Sequence, residues 1–139
     1  MKIIHSHFTF FLLLIFAVGC GGNCSVTGKV TFPDGSPLDH GEVIFEDSTL
    51  IARGDIQSDG TYAVQSGELK GLPKGTYSVS IGGFQDKVVE SFAPDGRPTG
   101  VQIIPAVIPI AQKYLSSNSS GLTCEVKGKT SYDIKVEKP

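Results

Sequence analysis

Past Cys24 the chain is cut by turn-forming residues at intervals of roughly 8–12 positions, and between the cuts the apolar residues alternate instead of falling on a helical stripe. That punctuation limits the chain to short strands joined by tight turns. Val26, Val30 and Phe32 share one face of a strand with Gly28 between them, and Pro33-Asp34-Gly35-Ser36-Pro37 then forces a turn. Val43 and Phe45 are the apolar face of a strand over residues 42–46. Residues 51–56 read as a further strand, which Ser58-Asp59-Gly60 is expected to fold back as a hairpin onto residues 61–64. Gly71-Leu72-Pro73-Lys74-Gly75 leads into a run where Tyr77, Val79 and Ile81 alternate with Thr76, Ser78 and Ser80.

Residues 87–92 form a further candidate strand, ended by the turn Ala93-Pro94-Asp95-Gly96-Arg97-Pro98. Pro105 and Pro109 break the apolar run 101–111, which excludes a long central strand there. Residues 116–120 are polar and predict a loop. Residues 122–126 and 132–136 predict a terminal hairpin, with Tyr132, Ile134 and Val136 on one face. The whole predicts an all-β domain over residues 25–139, a single antiparallel two-sheet sandwich of about seven strands.

The first residues obey different rules. Lys2 is followed by an apolar run from Phe8 to Val18, and the run closes in Ala17-Val18-Gly19-Cys20. A charged start, a short apolar core and a small-residue end predict an export signal over residues 1–19. The run is shorter than the roughly 20 residues that a membrane-spanning helix needs. Small residues directly before a cysteine resemble the bacterial lipobox, which implies cleavage before Cys20 and acylation of its thiol. Residues 20–24 would then be a lipidated tether, with Gly21 and Gly22 giving it freedom. The expected location is the cell envelope. Gly21 supplies no inner-membrane retention signal, which favours the outer membrane. The lipid bilayer, through acylated Cys20, is the first expected partner.

With Cys20 acylated, Cys24 and Cys124 remain in an oxidising compartment, and an even remainder predicts a disulfide. Closing a loop of about 100 residues would contribute up to about 4–5 kcal/mol through loss of unfolded-chain entropy. Removal of the signal leaves eleven basic against fourteen acidic residues, with no basic cluster. This excludes the concentrated positive patch on which nucleic-acid binding depends.

The order of motifs Val26-Thr27-Gly28-Lys29-Val30, Pro33-Asp34-Gly35-Ser36-Pro37, Ser58-Asp59-Gly60-Thr61-Tyr62 and Gly71-Leu72-Pro73-Lys74-Gly75-Thr76-Tyr77-Ser78-Val79 resembles the carboxypeptidase regulatory-like domain family. The likeness is best over residues 25–82. It implies a Greek-key sandwich of the transthyretin (prealbumin-like) type. The ending, with Ile110-Ala111-Gln112-Lys113-Tyr114 and Ser120-Gly121-Leu122-Thr123-Cys124-Glu125-Val126, resembles small planctomycete-type lipoproteins that carry this domain. These are turn and strand signatures, and they specify a fold better than a function. The histidine-and-arginine site and C-terminal tetrapeptide of the hydroxyisourate hydrolases, which share the fold, have no counterpart here.

His40 is the one histidine left after the signal, so a multi-histidine zinc site is excluded and any hydrolytic dyad must use His40 with Asp39. The preferred reading of His40 is a solvated loop histidine. Asp34, Asp55, Asp59 and Asp95 lie in or beside turns whose geometry already accounts for Asp-Gly, so neither a metal nor a cofactor is expected. No catalytic residue is assigned. Tyr62, Tyr77, Tyr114 and Tyr132 are expected in the core or on a sheet face, one of them as a tyrosine corner. The expected function is a non-enzymatic envelope module for a protein or an envelope polysaccharide. The alternatives are a small-molecule or carbohydrate carrier using loops at one end of the sandwich, and a hydrolase with an unrecognised site.

Overall fold

The computed structural model describes residues 22–139. The strands are β1 (Val26–Thr31), β2 (Glu42–Glu46), β3 (Ile51–Asp55), β4 (Thr61–Ala63), β5 (Gln65–Ser66), β6 (Leu69–Lys70), β7 (Gly75–Gly82), β8 (Lys87–Phe92), β9 (Pro98–Ile104), β10 (Leu122–Val126), β11 (Thr130–Ser131) and β12 (Ile134–Lys135). A single 3-10 turn, Gln112–Leu115, interrupts an otherwise all-β chain among the described residues.

The larger sheet runs β10-β7-β2-β3-β5-β6, antiparallel throughout. The smaller sheet is centred on β1, with β4 antiparallel on one side and β11 and β12 parallel on the other. Strands β8 and β9 pair only with each other. The expected all-β sandwich is therefore what the chain forms, in more and shorter strands than seven, because corners break the ladders after two or three residues.

Alternation selects the core. Val26 and Val30 from β1, Tyr62 from β4 and Ile134 from β12 face Val43 and Phe45 from β2, Tyr77, Val79 and Ile81 from β7, and Cys124 and Val126 from β10, all buried in one cluster. Phe45 is wholly buried. Its ring centroid lies 6.3 Å from that of Tyr62, 6.5 Å from Tyr77 and 6.2 Å from Tyr132. These rings come from both sheets. Each phenol near the centre needs a polar partner. Tyr62 donates its hydroxyl to the Tyr132 carbonyl, and Tyr77 donates to the Pro73 carbonyl at 2.9 Å. A tyrosine bonding backbone a few residues upstream is the tyrosine corner, so Tyr77 fills that role. Burial pushes the Tyr62 phenol far above its ordinary value.

Three turns are built alike. In 32–36, 57–61 and 93–97 the glycine amide returns to the residue three before it, at 2.9, 2.8 and 2.8 Å. The glycines take φ of +84°, +84° and +82°, which an L side chain adopts only under strain. In each, the aspartate accepts the amide of the residue two positions on, at 2.9, 3.0 and 3.2 Å.

Identical turns lead to different outcomes, and two expected hairpins do not form. The turn 57–61 is a corner: β3 stays in the larger sheet while β4 joins β1, because the Val30 amide takes the Gly60 carbonyl at 2.9 Å and draws the exit across. The expected terminal hairpin is likewise a crossover. Strand β10 lies beside β7, whereas the chain after Gly128 runs parallel to β1. The amides of Thr130, Tyr132 and Val136 donate to the carbonyls of Ser25, Thr27 and Thr31 at 2.8, 2.8 and 2.9 Å, and the Lys29 amide donates to Asp133 at 3.0 Å. The crossover brings Ile134 and Val136 to one wall of the core and Val126 to the other. A hairpin would have stacked them in one sheet. Gly28 permits this close approach, since a Cβ there would collide with the Tyr132 carbonyl.

The expected Cys24–Cys124 bridge is also absent, and both cysteines are free thiols. Each is fixed by its own backbone pairing. Cys24 exchanges bonds with Leu72 (2.6 and 2.8 Å), and Cys124 sits opposite Tyr77 in the β10–β7 ladder. Cys124 acts as a small apolar core group, and burial raises its thiol pKa.

Two outcomes follow from this packing. Replacing Phe45 with alanine removes the ring shared by both sheets and should lower stability by about 3–5 kcal/mol in urea unfolding. The carboxyls of Asp34, Asp47, Asp59 and Asp95 are held below their ordinary value of 3.8, each by hydrogen bonds within its own turn. A depressed folded-state pKa contributes stability above the unfolded value and loses it as pH falls. Thermal unfolding should therefore be insensitive to these groups near neutrality and weaken below about pH 4, less steeply in Asp59→Ala.

Candidate functional site

Two features of the surface are not explained by core packing. The first is the β8–β9 arm. It leaves the sandwich after Gly82 and Gly83 and returns before Pro105, and at its base the Asp86 carboxylate accepts the Ala106 amide at 2.8 Å. The register pairs Val88 with Ile103, Glu90 with Val101 and Phe92 with Pro98, with a bulge between Ser91 and Phe92. Paired residues share a face, so Val88, Phe92, Val101 and Ile103 line one side of the ribbon. They are 58%, 59%, 65% and 62% exposed, whereas Val89 on the opposite side is half-buried. Glu90 is the one charge in that apolar row and has no ion-pair partner among the described residues. Monomeric proteins seldom leave large apolar side chains so clustered in water.

The position of the arm follows from the sheet. Strand β7 begins at Gly75, close to the Cys24–Leu72 bridge where the chain enters the domain, and ends at Gly82, opposite Glu42. Its eight residues span about 26 Å. The arm therefore departs from the end of the domain opposite the N-terminal entrance.

The second feature is a cleft of about 1030 Å³ on the outer side of β1, β4 and β3. Lys29, Arg53, Asp55, Thr61, Gln65 and Asp133 contribute to its lining. Arg53 is paired with Glu42 at 2.9 Å. The lining offers hydroxyl, amide and mixed-sign charged groups, suited to hydrogen-bonding a small polar ligand. It contains no histidine or cysteine to activate its hydroxyls. Its one aromatic, Tyr62, is itself buried, which leaves no exposed ring on which a sugar could stack.

The residues singled out in the sequence do not converge. Cys20 lies outside the described residues. His40 bonds Asp39 at 2.6 Å on an exposed loop, and the imidazole lowers the Asp39 pKa. The ring packs edge-on against Phe84, at 5.5 Å between centroids, with no nucleophile among the described residues bonded to it. Asp34, Asp59 and Asp95 each serve a separate turn, and among the described residues no three metal-ligating side chains come together. No helix of the described residues is long and apolar enough to cross a membrane.

Sequence reasoning missed the arm as a surface because its valines and isoleucines are of the types that build cores. The available signal was the bracketing of two short apolar strands by Gly82-Gly83 on one side and Pro105 on the other. Against known proteins, the chain matches no family model, no curated protein and no solved structure.

The bond between Asp86 and Ala106 makes the arm separable. Replacing residues 87–105 by two glycines should leave the urea midpoint of the sandwich nearly unchanged, since neither strand pairs with the core sheets. A large drop would mean that the arm supports the fold.

Proposed function

We propose that this chain is a non-catalytic docking module of the bacterial cell envelope, exported by residues 1–19, acylated on Cys20 and held at a membrane surface, with the outer membrane favoured. The observation that carries the docking role is the apolar face of the arm, placed at the end of the domain away from where the chain enters it. An apolar strip held clear of the core is suited to a protein surface that covers it. The bilayer is a poorer occupant, because Glu90 interrupts the strip and both ribbon edges carry unpaired backbone groups that hydrocarbon does not tolerate. Membership of the carboxypeptidase regulatory-like family, with a Greek-key transthyretin-like topology, is part of this proposal and rests on the turn and strand motifs of residues 25–82.

A second use is supported by the cleft at Lys29, Arg53 and Gln65, which has the volume for a small polar ligand or a short saccharide. It differs from a carrier using end loops, since it lies on the outer side of the strands.

The anchor and the docking role are tested together. Metabolic acyl labelling should mark the wild type and spare Cys20→Ser, and label on both would overturn the anchor. In-cell cross-linking of the tagged, lipidated protein should give a reproducible protein adduct that disappears when residues 87–105 are replaced by two glycines. Adducts that survive this deletion, or glycan fragments alone, would move the function to the cleft.

A further inference from the structure

We propose that the cleft on the outer side of β1, β4 and β3 takes a small zwitterion of the amino-acid or short-peptide class. Its ammonium would sit on Asp55 and its carboxylate on Lys29. The inference rests on the second use proposed for the cleft and names the ligand chemistry.

The cleft lies over a seam. Strand β4 pairs with β1 on one side, and on the other it borders β3 with no ladder between them. Gly54 permits this approach, since a Cβ there would meet the Ala63 carbonyl at 2.8 Å. The outward side chains of β3 and β1 therefore share one surface, with β4 between them. The register places them. The Gln57 amide takes the Thr61 carbonyl and Arg53 pairs with Gln65, so Asp55 stands level with Ala63. Ala63 is opposite Thr27, and Thr61 is opposite Lys29. The Val30 amide takes the Gly60 carbonyl and the Val64 amide takes the Val26 carbonyl, so both pairs fall between the hydrogen-bonded ones. Side chains at such positions stand close together, on Cα atoms about 4.5 Å apart. Asp55 and Lys29 are thus diagonal across the small side chain of Ala63.

Charge and pairing select the ligand. The lining carries two cations, Lys29 and Arg53, against three carboxylates, Glu42, Asp55 and Asp133. Arg53 and Glu42 are spent on each other at 2.9 Å. Asp133 accepts the Lys29 backbone amide at 3.0 Å. Asp59, outside the lining, accepts the amide and hydroxyl of Thr61 at 3.0 and 2.6 Å. Neither Lys29 nor Asp55 forms an ion pair among the described residues. One ammonium and one carboxylate are therefore left facing the same floor.

An anion alone would meet Asp55 and a cation alone would meet Lys29, each a like-charge contact that costs affinity. A molecule carrying both charges satisfies both groups. A neutral sugar finds no exposed ring to stack on. An occupant that takes Lys29 and Asp55 leaves the Arg53–Glu42 pair in place, and one that reaches Arg53 must break it. Ile51, 55% exposed at the start of β3, gives the cleft an apolar end for a ligand's side chain.

Titration calorimetry on the full-length acylated protein in detergent tests the assignment, with leucine and dileucine as probes. At least one should bind saturably below about 10 mM, at the weak end of small-ligand affinities. Tighter binding of leucine would point to a free amino acid, and tighter binding of dileucine to a short peptide. The methyl ester of the bound probe lacks the carboxylate and its N-acetyl form lacks the ammonium, and each should bind about tenfold more weakly. Lys29→Met should abolish the preference over the ester and keep the preference over the N-acetyl form. Asp55→Asn should do the reverse, and both variants should keep the wild-type urea midpoint. Loss of fold cannot produce that crossed pattern. Preferences that neither substitution moves would overturn the assignment of the charges. Saturable binding of maltose with none of leucine or dileucine would overturn the zwitterion and keep the cleft as a small-ligand site. No saturable heat from any of these probes would overturn both. The docking role of the arm is left to its own cross-linking test.

Discussion

Phe45 is the contact on which the sandwich depends. It projects from the middle of the larger sheet into a ring of tyrosines supplied by β4, β7 and the segment between β11 and β12. Those tyrosines are polar at one end, and their hydroxyls must be satisfied away from water. Tyr62 and Tyr77 do this by donating to backbone carbonyls, and each bond also ties one piece of chain to another. The Tyr62 bond to the Tyr132 carbonyl holds the C-terminal segment against β4 and β1. Burial of an aromatic cluster and closure of the smaller sheet are thus one event.

The parallel placement of β11 and β12 follows from it. The C-terminal segment has to reach the far side of β1, and it can lie there only because Gly28 has no Cβ to meet the Tyr132 carbonyl. Asp133 and the amides of Thr130, Tyr132 and Val136 then fasten the segment along the strand. The core is closed on both walls by short strands, without a covalent link between Cys24 and Cys124.

Against this core the arm and the cleft are additions. Residues alternate strictly between buried and exposed in β3 and between buried and half-buried in β2, whereas every residue of β9 is exposed. The cleft differs in kind. Its groups are already partly paired, Arg53 with Glu42 above all, so a ligand there would compete with existing bonds. A partner on the arm displaces only water.

The sequence by itself determined what short-range chemistry controls. Asp-Gly turns at 34–35, 59–60 and 95–96 were legible because only glycine takes the required φ and aspartate caps its own turn. The buried positions Val43, Phe45, Tyr77, Val79 and Ile81 were legible because alternation forces one face inward. Only the tertiary structure decided which strand each turn delivers its chain to. The same local turn serves as a corner at 57–61, where the Val30 amide takes the Gly60 carbonyl, and as a hairpin tip at 93–97, where the flanking strands β8 and β9 pair with each other. The arm was hidden for the same reason: Val88, Val101 and Ile103 have the chemistry of core residues, and exposure depends on whether a second sheet lies across from them, which no local pattern records.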